Sequence, residues 1–309
     1  MQKEGQIKNS KPNSDSTAFS VNFTLNEFNT QSSNVSLNSL KTQELGDQIK
    51  FLEYAVYRGD PSDEKFAYQL RKKIIQTSNE PGFGSIKDTL YNKTYGIYFV
   101  GSQSKGEINP SEIHGTAGYY ITHPIYYSQT PTLSSDLYYA SINTTVTTPI
   151  EKSVDLKRMV SLVTIRINDI IPNKVDKAVV TYQDYPPGFD LATGTGRPRF
   201  REDNYDDVSF TYQINPSDRV KSNFSVNTVV WPYRYFGITI NFYDKDGNFI
   251  IGKEMPKNDE NFFVNINRNT HYIFAGSLFS NPATFNINID DRWNTPIDVP
   301  FNVSHTSHN

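Results

Sequence analysis

The chain has 309 residues, more than one domain usually holds, so two domains of roughly 140 residues each are expected. Lys and Arg number 30 against 33 Asp and Glu, a formal charge of -3, which leaves no electrostatic footprint for nucleic acid. The absence of Cys excludes disulfides, thiolate metal sites and a thiol nucleophile together, and no apolar run approaches the ~20 residues of a membrane-spanning helix. Hydrophobic residues make up only 36%, but Tyr and Phe contribute 20 each. A ring-rich core is therefore expected, and with Thr, Val and Ile the composition leans towards sheet.

Residues 1–17 are polar throughout and read as a disordered tether, too hydrophilic to repay the entropy of ordering. They lack the apolar stretch of a signal peptide, which leaves open a cytosolic protein or a processed exported one. Phe19, Val21, Phe23 and Leu25 then alternate with polar residues, the period-two rhythm of a strand with one face buried. After a second polar stretch, Asn29–Ser39, strands are predicted at Ile49–Arg58, Asn92–Ser102, Tyr119–Gln129, Leu137–Thr145 and Val154–Ile167. Pro61–Gln76 fits a helix capped at Ser62 or Asp63, and Phe66–Ile75 fits a strand about as well.

Asn168–Val175, with Ile171-Pro172-Asn173, interrupts the strands near mid-chain and is the expected boundary between residues 18–170 and 171–309. Beyond it strands are predicted at 178–183, 208–214, 224–231, 236–242, 262–278 with a break near Asn267, and 285–289. Asp246-Gly247 between Phe242 and Ile250 marks a hairpin turn. Many short strands without βαβ alternation predict an all-β fold of two tandem β-sandwiches.

No residues assemble a recognisable reaction centre. The five His, at 114, 123, 271, 305 and 308, never fall at the i, i+4 spacing of a helical metal pair, so neither metal nor cofactor is expected. Asp244-Lys245-Asp246-Gly247 resembles the opening of a calcium loop but lacks the later ligands, and the turn is the better reading. Gly194-Thr195-Gly196 lacks the Gly-Lys pair of a phosphate cradle and reads as a flexible loop leading to Arg197, Arg199 and Arg201. Asp206-Asp207 and Asp290-Asp291 are adjacent pairs, whose side chains point to opposite faces of a strand. The protein is therefore read as not an enzyme. In the Tyr pairs 119–120, 126–127 and 138–139 one ring of each is expected in the core and the other in water, where Tyr126 and Tyr138 are candidate glycan contacts.

Several motifs resemble the fimbrillin-like proteins of Bacteroidetes. They are Glu53-Tyr54-Ala55-Val56-Tyr57-Arg58-Gly59, the mid-chain run Ser153 to Ile165 with its basic pair Lys157-Arg158, Ile240 to Asn248, Asn269-Thr270-His271-Tyr272, and Asn286 to Trp293. The resemblance runs in order from about Phe19 to Pro300. It implies two transthyretin-like β-sandwiches, export to the cell outer membrane, an N-terminal lipid anchor on a Cys that this sequence lacks, and a role in a fimbria or pilus. Met1 would then stand where a signal and lipidation site had been removed. Asp15-Ser16-Thr17 and Asp88-Thr89-Leu90 look like the O-glycosylation acceptor of exported Bacteroidetes proteins.

In polymerising members of the family a protease cuts after an Arg, sheds the first strand, and opens a groove for a neighbour's strand. Here the first Arg is Arg58, inside a predicted strand, so the resemblance favours an anchor or accessory subunit that keeps its first strand. Phe19, Val21, Phe23 and Leu25, and at the other end Pro296, Ile297 and Val299, are the candidate assembly segments, the prolines suiting an edge strand. The expected partners are other fimbrial subunits joined by β-strand addition, the membrane through the lipid anchor, and host or bacterial surface ligands. The alternative is a surface glycan-binding β-sandwich lipoprotein.

Overall fold

A computed structural model describes residues 17–26, 44–58, 69–103, 109–112, 119–122, 136–183, 185–186, 188–191, 194–196, 207–219, 222–255, 264–280 and 285–290. Within them the protein is an all-β sandwich fold with a single helical turn. The first strands are β1 (Ala18–Leu25), β2 (Phe51–Arg58), β3 (Gln69–Thr77), β4 (Ser85–Tyr91) and β5 (Thr94–Ser102), with helix α1 (Leu45–Gln48) leading into β2. They are followed by β6 (Asn109–Glu112), β7 (Tyr119–Thr122), β8 (Leu137–Thr145), β9 (Ile150–Val154) and β10 (Lys157–Arg158). Next come β11 (Ser161–Ile167), β12 (Lys177–Gln183), β13 (Gly188–Asp190), β14 (Thr195–Gly196), β15 (Val208–Gln213) and β16 (Phe224–Val230). The last are β17 (Tyr233–Tyr243), β18 (Phe249–Met255), β19 (Val264–Ile266), β20 (His271–Gly276) and β21 (Phe285–Asp290).

Two pairs of sheets carry the architecture. A three-stranded sheet, β4-β1-β9, packs over the five-stranded β10-β8-β5-β2-β3 through a core that includes Val21, Phe23, Tyr54, Ile86, Leu90 and Phe99. The sheet β16-β11-β20-β21 packs over β15-β12-β17-β18, to which β19 adds through β17, around Val163, Ile165, Val180, Ile240, Phe242 and Phe274.

The second core does not stop at its own sheets. It takes in Ala55 and Tyr57 of β2, Tyr98 and Val100 of β5, and Leu137 and Tyr139 of β8, the far face of the first five-stranded sheet. β2 and β5 are consequently buried on both faces, and their sequences read as nearly unbroken apolar runs for that reason. A further sheet, β14-β13-β7-β6, joins two strands from before residue 170 to two after it. β11 also lies before that expected boundary, yet both its ladder partners, β16 and β20, lie after it.

Local differences from the sequence reading have clear causes. The last half of Pro61–Gln76 is strand β3, since Leu52 to Arg58 offer it a ladder and a lone helix would leave that edge open, while 61–68 lie outside the described residues. Val154–Ile167 is three strands instead of one. Leu156 packs into the first core, whereas Met159 and Val160 pack into the second, so the chain must turn as it crosses between them. The Asp244–Asn248 hairpin forms as predicted. The Asp244 carboxylate accepts hydrogen bonds from the Asp246 and Asn248 N–H groups, at 2.9 and 2.8 Å, and Gly247 takes φ +83°. These bonds hold the carboxyl below the usual range, with the Asn248 side chain contributing most.

Gly194 and Gly196 belong to a packed strand turn, not to a flexible loop. Gly194 has φ +70°, and a Cβ there would fall 2.1 Å from Tyr139 Oη; one at Gly196 would fall 2.5 Å from the Pro232 carbonyl oxygen. The backbone must approach closely, so glycine is required. Gly194→Ala is expected to cost about 1–3 kcal/mol, seen as a lower thermal midpoint. An unchanged midpoint would mean that this turn relaxes freely.

Candidate functional site

The predicted first strand is the centre of a slot. β1 pairs antiparallel with β4, from Ala18 opposite Tyr91 to Thr24 opposite Ser85, and parallel with β9, from Val21 opposite Ile150 to Leu25 opposite Val154. Both of its backbone edges are thus satisfied, which an edge strand cannot achieve. Its ends are tied as well: Asn92 N–H donates to Thr17 O at 2.9 Å, Asn26 N–H to Val154 O at 3.0 Å, and Asn26 Nδ2 to Asp155 Oδ1 at 2.6 Å.

The alternation read from the sequence decides what lies beneath. Val21, Phe23 and Leu25 are buried, while Ser20 and Thr24 stay exposed and Phe19 is half-buried against the same core. Phe23 meets Phe99 edge-on at 5.2 Å and Tyr54 at 6.1 Å, and those two rings lie 5.4 Å apart. Each fully buried side chain of this size contributes roughly 1.5–3 kcal/mol. Removing β1 would therefore expose an apolar groove flanked by two unpaired ladders, an acceptor shaped for another strand.

The other candidate residues fare differently. Pro296, Ile297, Val299 and Tyr126 lie outside the described residues, as do His114, His123, His305, His308, Arg197, Arg199 and Arg201. Tyr138 does not face water as expected: it is 4% exposed, and Tyr139 beside it is 7% exposed. Both rings are buried because β8 is covered on its two faces, so neither offers a surface platform for sugar. His271 Nε2 lies 2.8 Å from Thr164 Oγ1, a cross-strand hydrogen bond inside a sheet. Asp88 of the Asp88-Thr89-Leu90 motif is nearly enclosed, 2.5 Å from Lys72 Nζ and 3.2 Å from the Tyr54 hydroxyl. Among the described residues no three His, Asp or Glu side chains converge as a metal ion needs, and no helix is long and apolar enough to cross a membrane.

A buried cluster that sequence reasoning missed lies where the chain crosses between the cores. Arg158 Nη2 donates to Asp136 Oδ2 at 2.9 Å and to the Tyr138 hydroxyl at 3.1 Å, and Nη1 donates to Asn269 Oδ1 at 2.8 Å. The Tyr138 hydroxyl also lies 3.3 Å from Gln48 Oε1. Next to Asn269, Arg268 donates to the Tyr139 hydroxyl and stacks on its ring. The turn before β20 is thus fastened to the first five-stranded sheet at two points. Burial pushes the Asp136 carboxyl up, outweighing the downward pull of Arg158. The Lys157-Arg158 pair was visible as part of a family motif, but nothing local to Asp136 or Gln48 signals a partner more than twenty residues away.

The fold and the slot define a β-sandwich protein whose first strand completes an otherwise open core. Residues 11–307 match the model of a family of unknown function, DUF6562, and the chain belongs to that family. No curated protein matches it in sequence. Among solved structures it is similar to the fimbrial anchor protein Mfa2 from Porphyromonas gingivalis, at 12% identity and a TM-score of 0.50, covering 89% of this chain and 98% of that one. It is similar also to a DUF1812 protein of Bacteroides thetaiotaomicron named as a candidate polysaccharide-binding protein, at 12% identity and a TM-score of 0.52, covering 88% and 97%. At such identity the likeness is one of fold, and the chain fits the fimbrillin-like architecture that its motifs resemble.

Proposed function

We propose that the protein is a structural, non-enzymatic subunit of a fimbria-type appendage at the cell surface, serving as an anchor or accessory subunit that meets its neighbours by β-strand addition. The observation that carries this reading is β1, a first strand held centrally between β4 and β9 and closing an aromatic core. An anchor that keeps β1 leaves its own slot filled, so the contact with a neighbour falls to the segment of Pro296, Ile297 and Val299, added as a strand whose ladder hydrogen bonds supply affinity and whose alternate side chains supply register. An outer-membrane position with a lipid anchor upstream of the tether belongs to the same reading and rests on the motif resemblance. We read the strands as two sandwiches that divide between Leu156 and Ser161, where the chain leaves one core for the other.

The anchor role follows from what protects β1. Between Leu25 and Phe51 the only basic residues are Lys41 and Lys50, and no Arg precedes Arg58. Incubation with an Arg-specific protease and purified fimbrial subunits is expected to leave β1 attached and to give no self-assembly, while one subunit type adds end to end. Loss of β1 followed by a ladder of this chain alone on denaturing gels would reject the anchor role. Failure of every fimbrial subunit to associate would reject the appendage itself.

A further inference from the structure

The edge strands β3 and β4 belong to the two packed sheets and are linked by Gln76, whose Nε2 donates to Ser85 O at 2.9 Å and whose Oε1 accepts from Gly84 N–H at 3.0 Å. Next to this clasp, Ser20, Asn22, Arg71, Lys72, Lys87 and Thr89 surround a concavity of about 640 Å³. That volume lies within the range of small-ligand sites. The protein as a whole carries -3, yet this wall sets three cations against the single carboxylate of Asp88. That carboxylate is already committed: Oδ1 accepts from Lys72 Nζ at 2.5 Å and from Thr89 N–H at 2.7 Å, and Oδ2 from the Tyr54 hydroxyl at 3.2 Å.

The arrangement of the cations is built into the backbone. On a regular strand Arg71 and Lys72 would point to opposite faces. Here Val56 pairs with Lys72 and Tyr57 with Leu70, so Arg71 is the extra residue of a β-bulge, and both cations line the same concavity. The Arg71 guanidinium is held in place, donating to the Tyr95 hydroxyl at 3.1 Å with its Cζ 4.9 Å from the Tyr91 ring centre. Directly across the ladder, Lys87 stands opposite Asn22 and Thr89 opposite Ser20, which adds an exposed ammonium and a row of hydroxyl and amide groups. Edge lysines also discourage strand pairing, but that role asks only for charge. A bulge that turns an oriented guanidinium towards hydroxyl-rich walls suits a ligand carrying both an oxyanion and many hydroxyl groups.

We infer that this concavity binds an acidic polysaccharide, with Arg71 and Lys87 gripping a uronate carboxylate or sulfate group while Ser20, Asn22 and Thr89 hydrogen-bond to sugar hydroxyls. Two of those residues lie on β1, so the site is whole only while β1 is in its slot. The inference does not depend on assembly into an appendage.

The test is calorimetric titration of the intact protein with polygalacturonate oligomers, a sulfated glycan, neutral dextran and inorganic phosphate, with Lys245→Glu on the distant hairpin as a charge control. Binding of either acidic glycan, at least tenfold weaker in Arg71→Ala and Lys87→Glu and unchanged in Lys245→Glu, is the expected result. Equal loss in Lys245→Glu would show unspecific attraction and overturn the inference. So would phosphate competing as well as a glycan repeat unit, absence of binding to both acidic glycans, or self-association of Lys87→Glu with glycan affinity unchanged.

Discussion

Phe23→Ala is expected to destabilise the protein by about 3–5 kcal/mol, the range for deleting a buried ring from a packed core. Phe23 is 1% exposed and touches both Tyr54 and Phe99, so no single side-chain shift can refill the space. Ser20→Ala, on the exposed face of the same strand, is expected to change stability by less than about 0.5 kcal/mol. Denaturant unfolding of both variants measures the contrast. Equal effects would mean that β1 is held by its ladders alone. A chain lacking residues 1–26 should fail to fold cooperatively and should recover on addition of a peptide spanning residues 17–26, because the peptide restores ladders and apolar face together. Recovery with a peptide in which Val21, Phe23 and Leu25 are replaced by Ser would show that backbone pairing suffices.

Arg158→Met is expected to cost about 3–5 kcal/mol, because it leaves the Asp136 carboxylate buried without its cation. The two side chains are 6% and 3% exposed, so water cannot replace the lost partner. Asp136→Asn combined with Arg158→Met should recover part of the loss, since the buried charge is then gone. The pH dependence has a definite sign. The folded-state pKa of Asp136 already lies above its ordinary value, and removing Arg158 raises it further. Between the ordinary and raised values the folded state binds more protons than the unfolded one, so stability falls as pH rises through that window and returns as pH falls. The Arg158→Met deficit should therefore be smaller near about pH 5 than near about pH 8. A deficit independent of pH would assign the loss to the contacts with Asn269 and the Tyr138 ring instead.

The Arg158→Met variant probes how firmly the two cores are joined. Tyr139 meets Phe189 at 5.0 Å, Phe189 meets Trp231 at 5.6 Å, and the Trp231 main-chain N–H donates to the Tyr185 hydroxyl at 3.1 Å. This chain of rings carries contact from the first five-stranded sheet into the second core without a solvent gap.

The amino-acid sequence by itself determined the elements whose cause is local. Phe19 to Leu25 and Ile238 to Phe242 alternate with period two because each strand lays one face on a core, and a turn such as Asp246-Gly247 carries its own conformational demand. β4 escaped because Ile86 and Leu90 stand four apart with Lys87, Asp88 and Thr89 between them, leaving too little alternation to detect. Only tertiary structure decided that β2, β5 and β8 are covered on both faces, which buried Tyr138 and Tyr139 together. It likewise decided that a bulge at Arg71 brings two adjacent cations to one wall, and that Asp136, Arg158 and Asn269 meet across 133 residues of chain. Side-chain rhythm is a property of a few neighbouring residues, whereas register, layer order and the partners of a buried charge come from pairings between distant segments, whose free energy no local pattern records.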